Sequence, residues 1–102
     1  MMIHILSFST NKEILAVMDR LVNKHDENWT GYRAADLATA SEIITQSPID
    51  VVLLGAGTGA AERQVLSDQA SAADKRIRFI DHYGGGSGLL YAEVEEALRQ
   101  KV

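Results

Sequence analysis

The sequence contains no cysteine, only one proline and only one tryptophan among its 102 residues. Without cysteine there is no disulfide, no thiolate nucleophile and no thiolate metal ligand, which excludes whole classes of redox and sulfur chemistry. Lysine and arginine together number 10 against 14 aspartates and glutamates, and no more than two cations are consecutive. Because binding to a phosphate backbone needs several cations on one face, nucleic acid is not expected as the main partner.

Long apolar runs are also missing, since no segment approaches the roughly 20 apolar residues that cross a bilayer. The chain starts directly with a strand-like run and has no basic segment before it. We therefore expect no membrane association, no cleaved signal and a cytoplasmic location. With 46% hydrophobic and 24% charged residues, the chain is expected to form one domain over residues 1–102 around a single core.

Strand-length apolar runs alternate with amphipathic helical segments four times along the chain. The strands are predicted at residues 3–6, 29–34, 49–54 and 77–80. The third is the clearest, and its apolar run is typical of a central parallel strand that is buried on both faces. Right-handed crossovers then predict a three-layer α/β/α fold of flavodoxin-like type, with a four-stranded parallel sheet of order 2-1-3-4.

Each predicted helix carries one apolar stripe that faces the sheet. Capping oxygens are available at Ser9, Thr10 and Asn11 for the first helix and at Asp36 or Thr39 for the second. The predicted inward residues are Ile14, Met18, Leu21 and Val22, then Leu37, Ala40, Ile43 and Ile44, then Val65, Leu66, Ala70 and Ala73, and finally Leu90, Val94, Ala97 and Leu98.

Seven of the eight glycines fall in two clusters, residues 55–59 and 84–88, each between a predicted strand and a helix. Such junctions lie at the carboxyl edge of a parallel sheet, where N–H groups at helix starts can meet an anion. Glycines that only turn the chain are the simpler alternative, and neither cluster has the lysine of a Walker loop. The candidate site for a phosphate or nucleotide consists of Ser9, Thr10, Gly57, Thr58, Gly59, His82, Gly84, Gly85, Gly86 and Ser87.

Two further features allow other interpretations. Residues 55–60 fit the form G-x-G-x-x-A, and Asp81 follows Gly55 by 26 residues, near the spacing of a dinucleotide-binding carboxylate. His82 lies beside the second cluster and is a candidate general base. The three histidines do not have metal-ligand spacing, so we expect no metal site, no cofactor and no assigned catalytic residue. The carboxylates of Glu93, Glu95 and Glu96 are interpreted as a solvated helix face.

The motif Asn11-Lys12-Glu13-Ile14-Leu15 and the segment 40–54 resemble parts of a response-regulator receiver domain, a CheY-like fold. In that family an acidic pair after the first strand holds Mg²⁺, an aspartate at the end of the third strand accepts phosphate, and a lysine follows the fifth strand. Here Ser9 and Thr10 stand at the first position and Gly55 at the second, and no fifth strand is predicted. The resemblance therefore implies a degenerate receiver without aspartyl phosphorylation.

The run Val51-Val52-Leu53-Leu54-Gly55, the pair Ile80-Asp81 and the end of the last helix are similar to phosphotransferase-system IIB proteins of the lactose and cellobiose type. Their phosphorylated cysteine follows the first strand, where this chain has Ser7-Phe8-Ser9. Both resemblances agree on the fold, and in both the reactive residue is missing.

The leading hypothesis is a non-catalytic, receiver-like interaction module in signalling or regulation, which binds a protein partner or itself. Because the fourth strand lacks an outer neighbour, a homodimer through this strand and the last helix is expected, with Phe79, Tyr91 and Glu95 at or near the interface. A phosphate- or nucleotide-binding module is the second hypothesis, and an enzyme that uses His82 is the third.

Overall fold

Strands and helices alternate along the chain in a computed structural model that describes residues 2–25, 27–82 and 86–99. The order is β1 (Ile3–Phe8), α1 (Lys12–His25), β2 (Trp29–Ala34), α2 (Leu37–Gln46), β3 (Val51–Leu54), α3 (Ala60–Ala72), β4 (Arg78–Asp81) and α4 (Gly86–Arg99). The alternation confirms the sequence-based prediction. Three of the strands differ in their bounds: β1 extends past Leu6 to Phe8, β3 begins at Val51 rather than Ile49, and β4 is shifted by one residue to end at Asp81.

The four strands form a parallel sheet of order β2-β1-β3-β4, as predicted. All four residues of β3 are buried, which accounts for its unbroken apolar run. The register pairs Phe8 with Leu54 and Leu54 with Asp81, so β1, β3 and β4 end level with one another. This alignment positions the loops that follow these three strands side by side.

The two faces of the sheet carry separate halves of the core, which gives the predicted three layers. On one face Leu6, Phe8, Val52 and Leu54 pack against residues of α2 and α3. On the other face Ile5, Val51 and Leu53 pack against residues of α1 and α4. Within the described residues no helix is both long and apolar enough to cross a membrane.

Three of the predicted inward residues are wrong. Ile14 is 37% exposed, and the adjacent Leu15 is buried in its place. Val65 is 39% exposed, so that of the predicted pair Val65 and Leu66 only Leu66 is buried. In both helices two apolar residues are adjacent, and the starting residue of the helix decides which of the two faces the sheet. Ala73 is exposed because α3 ends before it.

Two of the predicted caps begin helices as expected. The Asn11 side chain accepts hydrogen bonds from the backbone N–H groups of Glu13 and Ile14 at the start of α1. Asp36 caps α2, because its Oδ1 accepts from Thr39 N–H at 2.7 Å. These bonds satisfy donors that have no partner within the helix.

Candidate functional site

Three strand ends meet at the carboxyl edge of the sheet and form the candidate site. Gly55 N–H donates to the Phe8 carbonyl at 2.8 Å, and His82 N–H donates to the Leu54 carbonyl at 2.8 Å. These bonds extend the register by one residue beyond β3 and β4. Ser9, Gly55 and His82 therefore lie next to one another across three neighbouring strands, as the sequence predicts for residues at parallel strand ends.

The Ser9 hydroxyl fastens the loop after β1 to the loop after β3. It donates to the Ala56 carbonyl at 2.7 Å and accepts from Asn11 N–H at 3.1 Å. Thr10 N–H donates to the same Ala56 carbonyl at 3.2 Å. Since Ser9 is fully buried, its hydroxyl serves the structure of the edge and is not presented to solvent.

Gly57 is required by its conformation and by a close contact. Its φ is +86°, and a Cβ at this position would lie 1.6 Å from Oγ1 of Thr10. An L-residue disfavours this region of φ, and the space is already filled. The glycine therefore lets the third-strand loop pack directly on Thr10.

The rest of the first glycine cluster is occupied by internal bonds. The Thr58 hydroxyl donates to the Gly55 carbonyl at 2.6 Å, and Thr58 N–H reaches the same oxygen at 3.2 Å. Gly59 N–H donates to Oε1 of Glu62 at 2.9 Å. The Glu62 carboxylate thus lies at the start of α3, where an external anion would bind.

Gly55 directly follows β3, where the resemblance to receiver domains implies a phosphoacceptor aspartate, and a methionine lies against it. A Cβ on Gly55 would lie 2.8 Å from the sulfur of Met18 and 3.2 Å from Cβ of Ser9. A side chain at this position would require Met18 to move. The chain therefore has no reactive group here and little space for one.

His82 is held by a carboxylate of α4. Its Nδ1 lies 2.5 Å from Oε1 of Glu93, and the two side chains are 8% and 26% exposed. The contact fixes the orientation of the imidazole ring at the end of β4. Sequence reasoning missed this pair because it assigned Glu93 to a solvated face. The place of Glu93 next to the buried Val94 and three residues after the buried Leu90 was the available signal.

The second glycine cluster lies only partly within the described residues. Gly84 and Gly85 fall outside them, and Gly86 is the first residue of α4. Ser87 is the second residue of that helix. In residues 2–25, 27–82 and 86–99 no group of three or more histidines and acids could hold a metal ion. A ligand at the candidate site stays a prediction.

The free side of β4 is a second feature that the sequence indicated. Arg78 N–H donates to the carbonyl of Asp50, the residue before β3, and His82 N–H donates to the carbonyl of Leu54 at the end of β3. Because alternate residues of a strand face opposite neighbours, Phe79 and Asp81 direct their backbone groups away from the sheet. Arg63 covers part of this edge, since Nη2 donates to the Phe79 carbonyl at 3.3 Å and Nη1 lies 2.8 Å from the Asp81 carboxylate.

Two grooves flank this edge. A groove of about 590 Å³ runs between α3 and α4 along β4, with Arg63, Glu93 and Glu96 among its lining residues. A smaller cleft of about 330 Å³ lies beside the amino end of β4 against the end of α3. Phe79 and Arg78 line both.

Comparison with known proteins bears on the fold. No protein-family model and no curated protein matches the chain. Among solved structures, the chain is similar to a response regulator receiver domain protein (CheY-like) from Methanospirillum hungatei JF-1, with a TM-score of 0.65 and 14% sequence identity over 96% of this chain and 94% of that chain. At this identity the likeness shows the fold alone, and it confirms the predicted flavodoxin-like, receiver-like architecture.

Proposed function

We propose that this chain is a non-catalytic, receiver-like module that acts in signalling or regulation by binding a protein partner. The observation that carries the proposal is that Gly55, at the strand end where the receiver resemblance implies a phosphoacceptor, lies against Met18 and beside the internally bonded Ser9. Since the positions that would carry phosphoryl chemistry are filled by structural contacts, the fold is left with its surfaces as the means of action.

The free edge of β4 supports contact with another protein, because unpaired backbone groups on an edge strand readily pair with a further strand. A homodimer through β4 and α4 is one arrangement of this kind, since a two-fold axis would satisfy both copies with one surface. The bond from Arg63 to the Phe79 carbonyl counts against it, because both copies would have to accommodate this side chain in the pairing.

Pulldown with mass spectrometry tests the interaction role. The tagged wild type is compared with Arg78→Glu on β4 and with Arg33→Glu on β2, an arginine at the opposite edge of the sheet. We expect a reproducible binding protein that the Arg78 variant loses and the Arg33 variant keeps. Capture that is identical for all three proteins would contradict a role for the β4 edge.

A phosphate- or nucleotide-binding module is the alternative that the carboxyl edge favours, because the loops after β1, β3 and β4 converge there. The Glu62 carboxylate at the start of α3 opposes it. A thermal-shift screen of nucleotides and sugar phosphates separates the two functions, since a ligand at 100 times its Kd adds about 2.7 kcal/mol of stability. We expect no such shift.

The proposal includes three further expectations from the sequence. They are a single domain over residues 1–102, a cytoplasmic location and the absence of a cofactor. The likeness to phosphotransferase IIB proteins adds no mechanism, since this chain has no cysteine.

The contact between His82 and Glu93 orients an imidazole, but the described residues place no nucleophile in hydrogen-bond contact with it, so catalysis by His82 has less support than binding.

A further inference from the structure

The cleft of about 330 Å³ beside the amino end of β4 is lined by charged residues of one sign only. Its three charged lining residues are Lys75, Arg76 and Arg78, and its apolar lining includes Ile77 and Phe79. The chain as a whole carries a formal net charge of −4. A cationic cleft with apolar walls is therefore a local departure from the charge of the molecule.

The three cations differ in whether their side chains already form hydrogen bonds with other residues of the chain. The Lys75 ammonium donates to the carbonyls of Ile44, Thr45 and Ser47 at the end of α2, at 2.6 to 3.2 Å. Arg76 and Arg78 have no side-chain hydrogen bond or ion pair with any residue that the structure describes. Two guanidinium groups at the amino end of β4 are thus available to a ligand, and each is suited to bind a carboxylate with two parallel bonds. Arg78 extends from the face of the sheet that carries α4, because its register partner Val51 packs on that face.

The nearby negative groups do not neutralise the cleft. The last carbonyls of α3 accept from the backbone N–H groups of Ala73, Asp74 and Lys75. Asp68 accepts from Gln64 on the same helix, and neither Asp68 nor Asp74 lines the cleft. Asp81 and Glu93 line the neighbouring groove, where they contact Arg63 and His82. Glu96 lines that groove and not the cleft. The field in the cleft therefore favours an anion.

The cleft is continuous with open backbone on β4. Phe79 lines it, and the Phe79 N–H points away from β3 by the alternation of the ladder. The Arg63 guanidinium covers the Phe79 carbonyl and the Asp81 carboxylate, towards the other end of the strand. The amino half of the edge is thus the part that remains accessible.

We infer that this cleft and the amino half of β4 bind an acidic, extended segment of a partner protein. The inference rests on the proposed interaction role and specifies its partner. The segment adds as a strand beside β4, so that alternate side chains point into the cleft. Apolar side chains of the segment pack on Ile77 and Phe79, on the face of the sheet that carries α3. Carboxylates at the positions between them contact Arg78, on the face that carries α4, and Arg76 before the strand.

A second copy of this chain fits the cleft less well. The one acidic residue of its β4 is Asp81, which already forms an ion pair with Arg63 of the same copy. Self-pairing would also bring two Arg63 side chains onto one short edge. An acidic segment of another protein instead supplies unpaired carboxylates to Arg76 and Arg78.

Peptide binding tests this inference. The probe is a synthetic peptide with blocked termini that has glutamate at every second position and valine or threonine between, and the matched control has lysine in place of glutamate. We expect the glutamate peptide to bind with an affinity that falls as salt rises. Arg76→Glu and Arg78→Glu should each weaken binding about tenfold, whereas Arg33→Glu on β2 should leave it unchanged.

Amide hydrogen exchange gives a readout that general electrostatic attraction would not change. The Phe79 amide should become protected when the glutamate peptide binds, whereas the Ile80 amide, which faces β3, is protected from the start. Equal binding of the two peptides, equal losses in the Arg33 and Arg78 variants, no binding, or binding without protection of Phe79 would each overturn the inference. Protection of Phe79 in a peptide-free dimer seen by light scattering would also overturn it, in favour of a second copy, and would leave the proposed interaction role intact.

Discussion

His82 and Glu93 connect the end of β4 to α4 through an imidazole nitrogen that lies 2.5 Å from a carboxylate oxygen. The His82 side chain is 8% exposed, so removal of the Glu93 carboxylate would leave the imidazole without this partner and without full contact with water. We expect Glu93→Ala to lower the free energy of unfolding by about 1–2 kcal/mol, because a buried polar group is left unsatisfied. Urea unfolding at neutral pH measures the change.

Glu96→Ala is the matched control for this prediction, since Glu96 lies on the same helix and is exposed. Its effect should stay within about 0.5 kcal/mol. Equal losses in the two variants would mean that helix propensity or net charge, and not the contact with His82, explains the result.

Ser7 lies in β1 and Ser9 directly follows it. Both are fully buried, but their hydroxyl groups differ in their partners. The Ser9 hydroxyl bonds to Ala56 and Asn11, whereas the Ser7 hydroxyl has no partner among the described residues. Ser9→Ala should therefore cost about 1–2 kcal/mol, and Ser7→Ala should leave stability unchanged or raise it. Thermal unfolding of the two variants side by side decides this, and a larger loss for Ser7→Ala would contradict it.

Gly57 and Gly59 lie in one loop and should respond differently to alanine. A Cβ on Gly57 meets Thr10 and a positive φ, whereas a Cβ on Gly59 lies 3.7 Å from the Glu62 side chain with an extended φ of −143°. Gly57→Ala should cost about 2 kcal/mol and Gly59→Ala less than about 1 kcal/mol. Equal denaturation midpoints for the two variants would show that the contact with Thr10 does not constrain the loop.

The Asp36 cap makes the stability of α2 depend on pH. The backbone N–H of Thr39, followed by the Thr39 side chain, holds the pKa of Asp36 below its ordinary value of 3.8. A pKa that is lowered in the folded state contributes stability above the unfolded pKa and loses it as pH falls through the folded pKa. Asp36→Asn keeps an acceptor without the titration. Its stability relative to the wild type should therefore rise as pH falls below 3.8, as measured by urea unfolding, and a constant difference would contradict the prediction.

The fold could be predicted from the sequence because its main signals are local. The apolar run of β3 marks a central strand, and right-handed connections then leave few possible strand orders. The stripe of α4, with Leu90, Val94 and Ala97, was also correct. Ile14 was assigned to the core instead of the adjacent Leu15, and Val65 was assigned to it together with the buried Leu66, because periodicity alone does not choose between adjacent apolar residues.

The contacts of the site could not be predicted in the same way, because they join residues that are distant along the chain. The bond between Ser9 and Ala56 depends on the register of β1 and β3. The placement of Arg63 over Phe79 depends on how α3 crosses the sheet. Sequence reasoning located the edge and its residue types, but whether their polar groups face a ligand or each other is decided by tertiary packing.

The most direct measurement is the intact mass of the protein after incubation with acetyl phosphate and Mg²⁺, with a receiver domain that has its acceptor aspartate as the positive control. The resemblance to receiver domains implies that Gly55 stands at the acceptor position and that Ser9 and Thr10 stand at the acidic pair. On this proposal we expect no phosphoryl adduct on the wild type. Gly55→Asp should also stay unmodified, because the acidic pair that holds Mg²⁺ is still missing. A phosphorylated aspartate at any position of the wild-type chain would contradict a receiver-like module that acts by contact alone.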